Sequence, residues 1–319
     1  MTVMIRVRRA LRALFGADSP APAAGAPSAT PSGWEHPARP EVNLVGQNEI
    51  VALDRWALER RSRALTQALY LGDNVMLCRV LGRYKCYVPA DDDGFAAHVM
   101  MEGVWETWLT VFMARRLEPG MHAIDAGANH GYYTLLFADL VGPGGRVAAI
   151  EANPRTASLL RRTVTVNGYD DRVQVMEVAV TDRDGESLTF STPAHEPKNA
   201  RIVSDVQAGS ADTVAVTGAR LDTLLADWPH VDFIKVDVEG AEEAMLEGAW
   251  PILERDRPML LLEFNAGRCA NPGALLDRLS RLYGPFRTVS FDCTLEAVSR
   301  AQLLDPACQE DWLLWFGSD

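Results

Sequence analysis

The sequence lacks the cysteine spacing that metal sites and disulfide frameworks require. Its five cysteines are an odd number, and no two of them form a Cys-x-x-Cys pair. We therefore expect neither a structural zinc site nor a set of disulfides. Reduced thiols are typical of the cytosol, so we predict a cytoplasmic location.

Apolar runs of the roughly 18 residues that a bilayer span needs are also missing, which argues against a transmembrane helix.

The chain also has fewer basic than acidic residues. The chain has 31 Lys and Arg residues against 43 Asp and Glu residues, which gives a formal net charge of -12 at pH 7. A negative field repels phosphate backbones, so we predict that no nucleic acid is a partner. The Asn/Asp-Pro-Pro-aromatic motif of nucleic-acid methylation pockets is missing too, since Asp237-Val-Glu-Gly240 stands at that strand end.

A third absence is the middle glycine of a dinucleotide-binding turn. Apolar residues lead up to Asp125, and the following turn reads Gly127-Ala-Asn-His-Gly131. The Gly-x-Gly-x-x-Gly pattern seats a pyrophosphate on a helix N-terminus, whereas Asp125 would repel one. A positively charged nucleoside ligand without phosphates, such as S-adenosyl-L-methionine (SAM), suits this carboxylate better. The same observations disfavour a nicotinamide-dependent oxidoreductase.

Glu151 strengthens the SAM prediction. It ends the strand predicted to begin at Arg146, and a carboxylate there offers two acceptor oxygens to the ribose hydroxyls. The glycines of the preceding turn let a ligand approach the backbone. An ordinary tight turn would explain the glycines, but it would not explain Asp125 together with Glu151.

The chain divides into three predicted parts. Residues 1–40 comprise a basic N-terminal segment (1–16) and a flexible linker rich in Ala and Pro. The basic segment is interpreted as a frayed terminal helix, with weak contact to a membrane surface as the alternative. Residues 41–116 are predicted to be a mainly helical region, with one strand-like piece at Tyr84 to Val88. Residues 117–319 are predicted to be the cofactor-binding domain.

Alternation of strand and helix patterns in residues 117–319 predicts an α/β fold. We expect a doubly wound, mostly parallel, seven-stranded Rossmann-like sheet with an N-terminal helical extension. A β-rich insertion at residues 186–216 interrupts the alternation, and we interpret it as a substrate lid or a solvated hairpin. The strands are expected at residues 121–125, 146–151, 173–178, 231–236, 259–263, 287–291 and 312–316.

Polar side chains follow four of these strands, where ligands of such sheets bind. Lys235 lies inside an apolar run, so its side chain needs a partner. Asp237 at the strand end could hold the amino group of SAM, hold a metal ion or act as a base. Helix capping combined with a lysine–carboxylate ion pair is the purely structural alternative.

A set of short motifs is spread in order from about Leu77 to Asn265. The motifs are Asp125-Ala-Gly-Ala-Asn-His-Gly-Tyr-Tyr133, Glu151-Ala-Asn-Pro154, Asn167-Gly168, Leu221-Asp222, Ile234-Lys-Val-Asp-Val-Glu-Gly-Ala-Glu242, Pro258 and Leu262-Glu263. With these motifs, the stretch resembles the FkbM-type family of class I SAM-dependent methyltransferases. The resemblance implies methyl transfer, usually to a hydroxyl oxygen of a sugar, lipid or polyketide-like small molecule, by a methyltransferase domain at residues 117–319. Ala152 departs from the family, which usually has proline there.

Site roles follow from this interpretation. An alcohol is a weak nucleophile, so a base should assist it, and the candidates are His130, Asp237 and Glu263. Asp237 and Glu263 could also share a divalent metal ion, but no metal is part of the prediction. The expected partners are SAM and a small-molecule, glycan or lipid acceptor; a non-catalytic SAM-binding scaffold is the alternative. The predicted cofactor-binding residues are Asp125, Gly127, Asn129, Gly131, Glu151, Asn153, Ala179 and Asp237.

Overall fold

The architecture is that of an α/β protein with three sheets. The computed structural model describes residues 43–191, 201–203, 213–307 and 311–317. The basic segment, the linker and most of the predicted lid lie outside these residues. From Leu44 onward, the described residues belong to one structural unit.

The helices and strands are numbered in chain order. The helices are α1 (Gln47–Ala52), α2 (Arg55–Leu65), α3 (Phe95–Glu102), α4 (Thr107–Ala114), α5 (Tyr132–Val141), α6 (Pro154–Asn167), α7 (Leu221–Leu224), α8 (Glu242–Asp256), α9 (Pro272–Tyr283) and α10 (Arg300–Leu303). The strands are β1 (Ala68–Gly72), β2 (Val75–Val80), β3 (Tyr84–Pro89), β4 (His122–Ala126), β5 (Arg146–Ile150), β6 (Val173–Met176), β7 (Ala179–Val180), β8 (Ser187–Ser191), β9 (Arg201–Val203), β10 (Thr213–Ala219), β11 (Phe233–Val236), β12 (Met259–Phe264), β13 (Arg287–Val289), β14 (Leu295–Ala297) and β15 (Trp312–Phe316).

The main sheet has eight strands in the order β14-β13-β15-β12-β11-β4-β5-β6. Strands β12, β11, β4, β5 and β6 are parallel to one another. At the other edge, β15, β13 and β14 each pair antiparallel with their neighbours. The chain winds outward in opposite directions from β4, so the order reverses between β4 and β11, where α/β sheets bind ligands. The predicted fold class is confirmed. One more strand is present than expected, because the segment predicted at 287–291 ends early and β14 returns beside it.

Buried apolar side chains on both faces of this sheet explain its stability. On one face, α4, α5 and α6 pack against the sheet in a cluster that includes Phe112, Leu135 and Phe233. On the other face, α8 and α9 form a second cluster with residues such as Leu246 and Leu276. Parallel strands covered on both sides read as near-continuous apolar runs, which is why these strands could be predicted well.

Residues 41–116 are not mainly helical, and this prediction is wrong for the segment around β1 and β2. The helical part of this region is divided at Asp54: α1 ends at Ala52, and the Asp54 side chain accepts a hydrogen bond from the Ala57 amide at the start of α2. A turn at Gly72-Asp73-Asn74, all with positive φ, then joins β1 to β2 in a three-stranded antiparallel sheet. Val45 and Cys86 from this region are buried in the same cluster as Leu135.

The insertion is rich in strands, as predicted. Strands β7, β10, β8 and β9 form a separate four-stranded sheet in that order. Within the described part of the chain, none of the helices combines the length and the apolar content that crossing a bilayer demands.

Candidate functional site

A cavity of about 340 Å³ opens at the carboxyl ends of the central strands. The turn after β4, the residue after β5 and the ends of β11 and β12 all contribute to its wall. Residues from the N-terminal region and from the insertion close its sides. The polar and aromatic side chains on this wall include those of Trp105, Glu106, Asn129, Glu151, Phe190, Lys235, Asp237, Glu239, Glu263 and Arg268.

The turn after β4 is held tightly against the neighbouring strands. The amides of Gly127 and Ala128 donate to the Ile150 carbonyl at 3.0 and 2.9 Å. Gly127 has a φ of 78°, and a Cβ at this position would overlap the carbonyl oxygen of Asp237. Asn129 adopts a left-handed φ of 48° without being glycine. The geometry explains why the chain needs glycine first in this turn.

Glu151 is fixed so that it presents its carboxylate to the cavity. Its two oxygens accept backbone hydrogen bonds from Asn129 at 2.9 Å and from Asn153 at 2.8 Å. Each oxygen keeps a second lone pair, which suits a pair of ribose hydroxyls. Burial raises the pKa of Glu151 to about 7, although the two amides oppose the shift.

The wall beyond Glu151 is apolar. Ala152, Val178, Ala179 and Phe190 lie along it, and Ala179 and Phe190 belong to one small buried cluster. A flat adenine ring fits between such side chains, with its ribose at Glu151. The donor set therefore fits a nucleoside ligand, as the sequence predicts.

Lys235 is buried, with only 4% of its side chain exposed, and two carboxylates surround it. Its ammonium lies 3.0 Å from Asp237 and 4.0 Å from Asp125. Burial lowers the pKa of Lys235, but the two carboxylates outweigh it and raise the value overall. The Lys235 ammonium likewise holds the pKa of Asp237 below its usual range against the opposing effect of burial. Asp237 is thus ionised where it meets the cavity.

Asp125 lies behind the cavity wall. Its side chain is 1% exposed, and it accepts a 2.6 Å hydrogen bond from the Thr134 hydroxyl. The direct contact with SAM predicted for Asp125 does not match this position, because a buried lysine needs the carboxylate as a partner. Asp125 instead helps to hold Lys235, which in turn positions Asp237.

Three carboxylates converge beside Asp237. One oxygen from each of Asp237, Glu239 and Glu263 lies within 4.8 Å of the others. Burial, followed by repulsion from Asp237, raises the pKa of Glu263 to about 10 and that of Glu239 to about 7. The Arg268 guanidinium lies 3.5 Å from Glu239 and 3.9 Å from Glu263. The cluster therefore combines an ionised, a protonated and a readily titrated carboxyl, with cations of the chain beside them.

His130, predicted as a base, does not line this cavity. It is 1% exposed, its ring stacks on Phe95 at a centroid distance of 5.8 Å, and neither ring nitrogen has a partner among the described residues. Burial, with a smaller contribution from Arg155, lowers the pKa of His130 to about 3. A neutral imidazole behind the wall cannot reach an acceptor hydroxyl, so the structure argues against His130 as the base.

The buried imidazole should make stability depend on pH. The unfolded chain protonates His130 below its ordinary pKa of 6.5, while the folded chain does not, so stability falls as pH decreases from 6.5. Replacing His130 with phenylalanine keeps the stacking and removes the proton. Relative to wild type, the free energy of unfolding of His130→Phe should increase by about 1.4 kcal/mol for each unit by which the pH decreases from about 6.5 to 4.5. Urea unfolding at several pH values measures the difference; parallel curves for the two proteins would contradict the expectation.

The remaining predicted residues fall into two groups. Asn129 and Ala179 line the cavity, whereas Gly131 and Asn153 support it. A Cβ at Gly131 would collide with Leu160, and the Asn153 side chain caps α6 through the Arg155 amide.

Glu106, Glu239 and Phe190 are among the residues that line the cavity without a site role predicted from the sequence. Glu239 lies within the Lys-x-Asp-x-Glu element, and Phe190 lies within the insertion interpreted as a possible lid. Glu106 had no such signal, because it reaches the cavity from a segment outside the strand ends on which the prediction was based.

Comparisons with known proteins find similarity to methyltransferases. A protein-L-isoaspartate O-methyltransferase of Aeropyrum pernix is 40% identical over 83 residues, which cover 26% of this chain and 30% of that protein. A demethylmenaquinone methyltransferase of Symbiobacterium thermophilum is 34% identical over 144 residues, which cover 43% and 55%. The chain thus spans less than two thirds of the length of these curated relatives.

Among solved structures, methyltransferase FkbM from Methylobacillus flagellatus is similar with a TM-score of 0.38 and 14% sequence identity. The match covers 70% of this chain and 55% of that one.

The family comparison addresses the candidate site directly. Residues 125–282, about half of the chain, match the family model described as the methyltransferase FkbM domain. The matched segment contains the glycine turn, Glu151 and the element from Lys235 to Glu242. It therefore includes the groups that form the nucleoside pocket and the carboxylate cluster. The chain belongs to the FkbM family of class I methyltransferases, and SAM is its cofactor.

Proposed function

We propose that this methyltransferase transfers the methyl group of SAM to a hydroxyl oxygen of an uncharged small molecule, sugar or lipid. The observation that carries the proposal is the cluster of Asp237, Glu239 and Glu263 beside the nucleoside pocket. Carboxyl groups in different protonation states can both donate hydrogen bonds to hydroxyls and accept them. A cavity wall with this many acids disfavours acceptors that carry phosphate or carboxylate groups.

The three carboxyls suit three different tasks. Glu263, whose pKa is about 10, carries a proton at neutral pH and shares it in a hydrogen bond with Asp237, so it orients the Asp237 carboxylate toward the acceptor. Asp237, held ionised by Lys235, can accept a hydrogen bond from the acceptor hydroxyl and orient it. Glu239, whose pKa is about 7, is matched to remove the hydroxyl proton near neutral pH. We therefore propose Asp237 and Glu263 as acceptor-orienting residues and Glu239 as the base.

SAM supplies an activated methyl group on its sulfonium. The protein's part is to hold the acceptor oxygen in line with that methyl at roughly 3–3.5 Å and to exclude water. The aromatic rings of Trp105 and Tyr132, which lie on the same wall, can cover the apolar face of the acceptor. The proton that leaves the hydroxyl passes to the Glu239 carboxylate and from there to solvent.

Transfer of radiolabel from methyl-labelled SAM tests the function. The purified protein should label components of neutral glycan or lipid extracts, and the label should survive mild alkali because methyl ethers resist hydrolysis. Alkali-labile label would indicate carboxyl methylation and contradict the proposal. Retention of SAM binding without any label would favour the scaffold alternative. Adding EDTA should leave the rate unchanged, because Lys235 and Arg268 already compensate the acidic cluster.

The pH dependence of the rate tests the role of Glu239. A base must be deprotonated to act, so at saturating SAM the kcat/KM for the acceptor should rise as pH increases through about 7, the pKa of Glu239. In Glu239→Gln this rise should disappear and the rate should fall by about 10²–10⁴-fold. Glu102→Gln, which changes a half-buried acid that pairs with Arg63 and does not line the cavity, is the matched control and should keep the rise. An unchanged profile in Glu239→Gln would show that another group removes the proton.

A further inference from the structure

The position of the nucleoside pocket fixes where the methionine part of SAM must lie. The ribose end is at Glu151 after β5, and the apolar slot at Ala179 and Phe190 extends toward β6. The rest of the ligand therefore runs the other way, over the turn after β4 and toward β11. The ammonium group of SAM needs an anionic partner at that end.

Most carboxylates at that end are already engaged by cations. Asp125 lies behind the wall beside Lys235, and Asp237 lies 3.0 Å from the same ammonium. Glu239 and Glu263 lie beside Arg268. Glu106 differs, because it forms no close ion pair with the described residues: Tyr133 donates a 2.8 Å hydrogen bond to its Oε2, and the Trp105 side chain and the more distant Lys235 ammonium act on it as well. Glu106 also lines the cavity.

The backbone of Glu106 supports a functional role. It adopts a left-handed φ of 38°, which is costly for a residue with a side chain and tends to be kept at functional sites. Glu106 occupies the N-cap position of α4, yet its side chain makes no cap hydrogen bond. Glu106 thus lacks a side-chain cap hydrogen bond and has a strained backbone. Its carboxylate faces Tyr133 and the cavity instead.

We propose that Glu106 binds the α-ammonium group of SAM, although it lies outside the segment that the family model matches. Burial raises the pKa of Glu106, and proximity to the Asp237 carboxylate adds to the shift. A bound ammonium would relieve that repulsion. Tyr133 then acts as a positioning residue, because its hydroxyl fixes the carboxylate and its ring lies 5.1 Å from the Lys235 ammonium. The inference concerns the methyl donor and does not depend on the identity of the acceptor.

Calorimetric titration with paired ligands tests the proposal without measuring turnover. S-adenosylhomocysteine carries the ammonium group, and 5′-methylthioadenosine lacks the whole amino-acid part. Glu106→Gln should bind S-adenosylhomocysteine about 10- to 100-fold more weakly, and 5′-methylthioadenosine with less than about a twofold change. Tyr133→Phe should show the same selectivity at about a threefold loss. Glu102→Gln, outside the cavity lining, is the matched control and should bind both ligands as wild type does.

The outcomes are decisive in either direction. A loss confined to the ligand with the ammonium supports the assignment. An equal loss of affinity for both ligands would mean that Glu106 supports the pocket as a whole. An unchanged affinity for S-adenosylhomocysteine would mean that another group binds the ammonium. Either result would overturn the proposal. A desamino analogue of S-adenosylhomocysteine, which keeps the carboxylate, should bind wild type and Glu106→Gln equally. Circular dichroism of the variants confirms that they are folded.

Discussion

Replacing Glu151 with alanine should lower the affinity of the protein for SAM by about 100-fold or more. Two ribose hydroxyls donate to one carboxylate, and a hydrogen bond to a charged group contributes about 1.5–3 kcal/mol. The loss of two such bonds is therefore worth at least two factors of ten in the dissociation constant. The substitution also frees the amides of Asn129 and Asn153, which Glu151 holds at 2.9 and 2.8 Å, so the glycine turn loses an anchor.

Calorimetry with the two ligands distinguishes the role of Glu151 from that of Glu106. Glu151→Ala should weaken S-adenosylhomocysteine and 5′-methylthioadenosine to the same degree, because both carry the ribose; this is the opposite of the selectivity expected for Glu106. Glu177→Ala removes an exposed acid that pairs with Arg161 on the surface, and it serves as the matched control with wild-type affinity. If Glu151→Ala bound both ligands like wild type, the nucleoside would have to lie elsewhere.

The sequence predicts those parts of the site that lie in short motifs at the ends of apolar strands. The turn from Gly127 to Gly131 and Glu151 each follow an apolar strand, and the carboxyl ends of neighbouring parallel strands meet at one edge of the sheet. The element from Lys235 to Glu242 is equally local. For these residues the strand order in the sheet was enough to bring them together in the cavity.

The roles that the sequence missed depend on packing between distant segments. Asp125 has the residue type and the position expected of a cofactor ligand, yet its carboxylate lies beside the buried Lys235 ammonium. No sequence pattern reveals which side of a strand end faces the cavity. His130 is one residue from Asn129, which lines the cavity, but its ring turns back onto Phe95. Glu106 reaches the site through the packing of the N-terminal region. The sheet in that region was missed because a short turn, Gly72-Asp73-Asn74, lies within an otherwise helix-like composition.

Replacing Gly127 with alanine should both destabilise the fold and abolish SAM binding. The substitution has two costs, a side chain at a φ of 78° and an overlap of the new Cβ with the Asp237 carbonyl. Gly168, at the end of α6, has a similar φ of 74° but open space around it, so Gly168→Ala measures the first cost alone.

Urea unfolding of the two variants separates the costs. We expect Gly168→Ala to lose about 1–2 kcal/mol, the usual penalty for a left-handed residue with a Cβ. Gly127→Ala should lose about 1–3 kcal/mol more, since the overlap falls on backbone that cannot rotate away. The turn and β11 must then move apart, which shifts Asp237 relative to Glu151 and disrupts the pocket between them. SAM should therefore stabilise wild type and Gly168→Ala against unfolding but have no effect on Gly127→Ala. Equal destabilisation of the two variants, with SAM protection retained in both, would show that the close approach of the turn to β11 is not needed for the pocket.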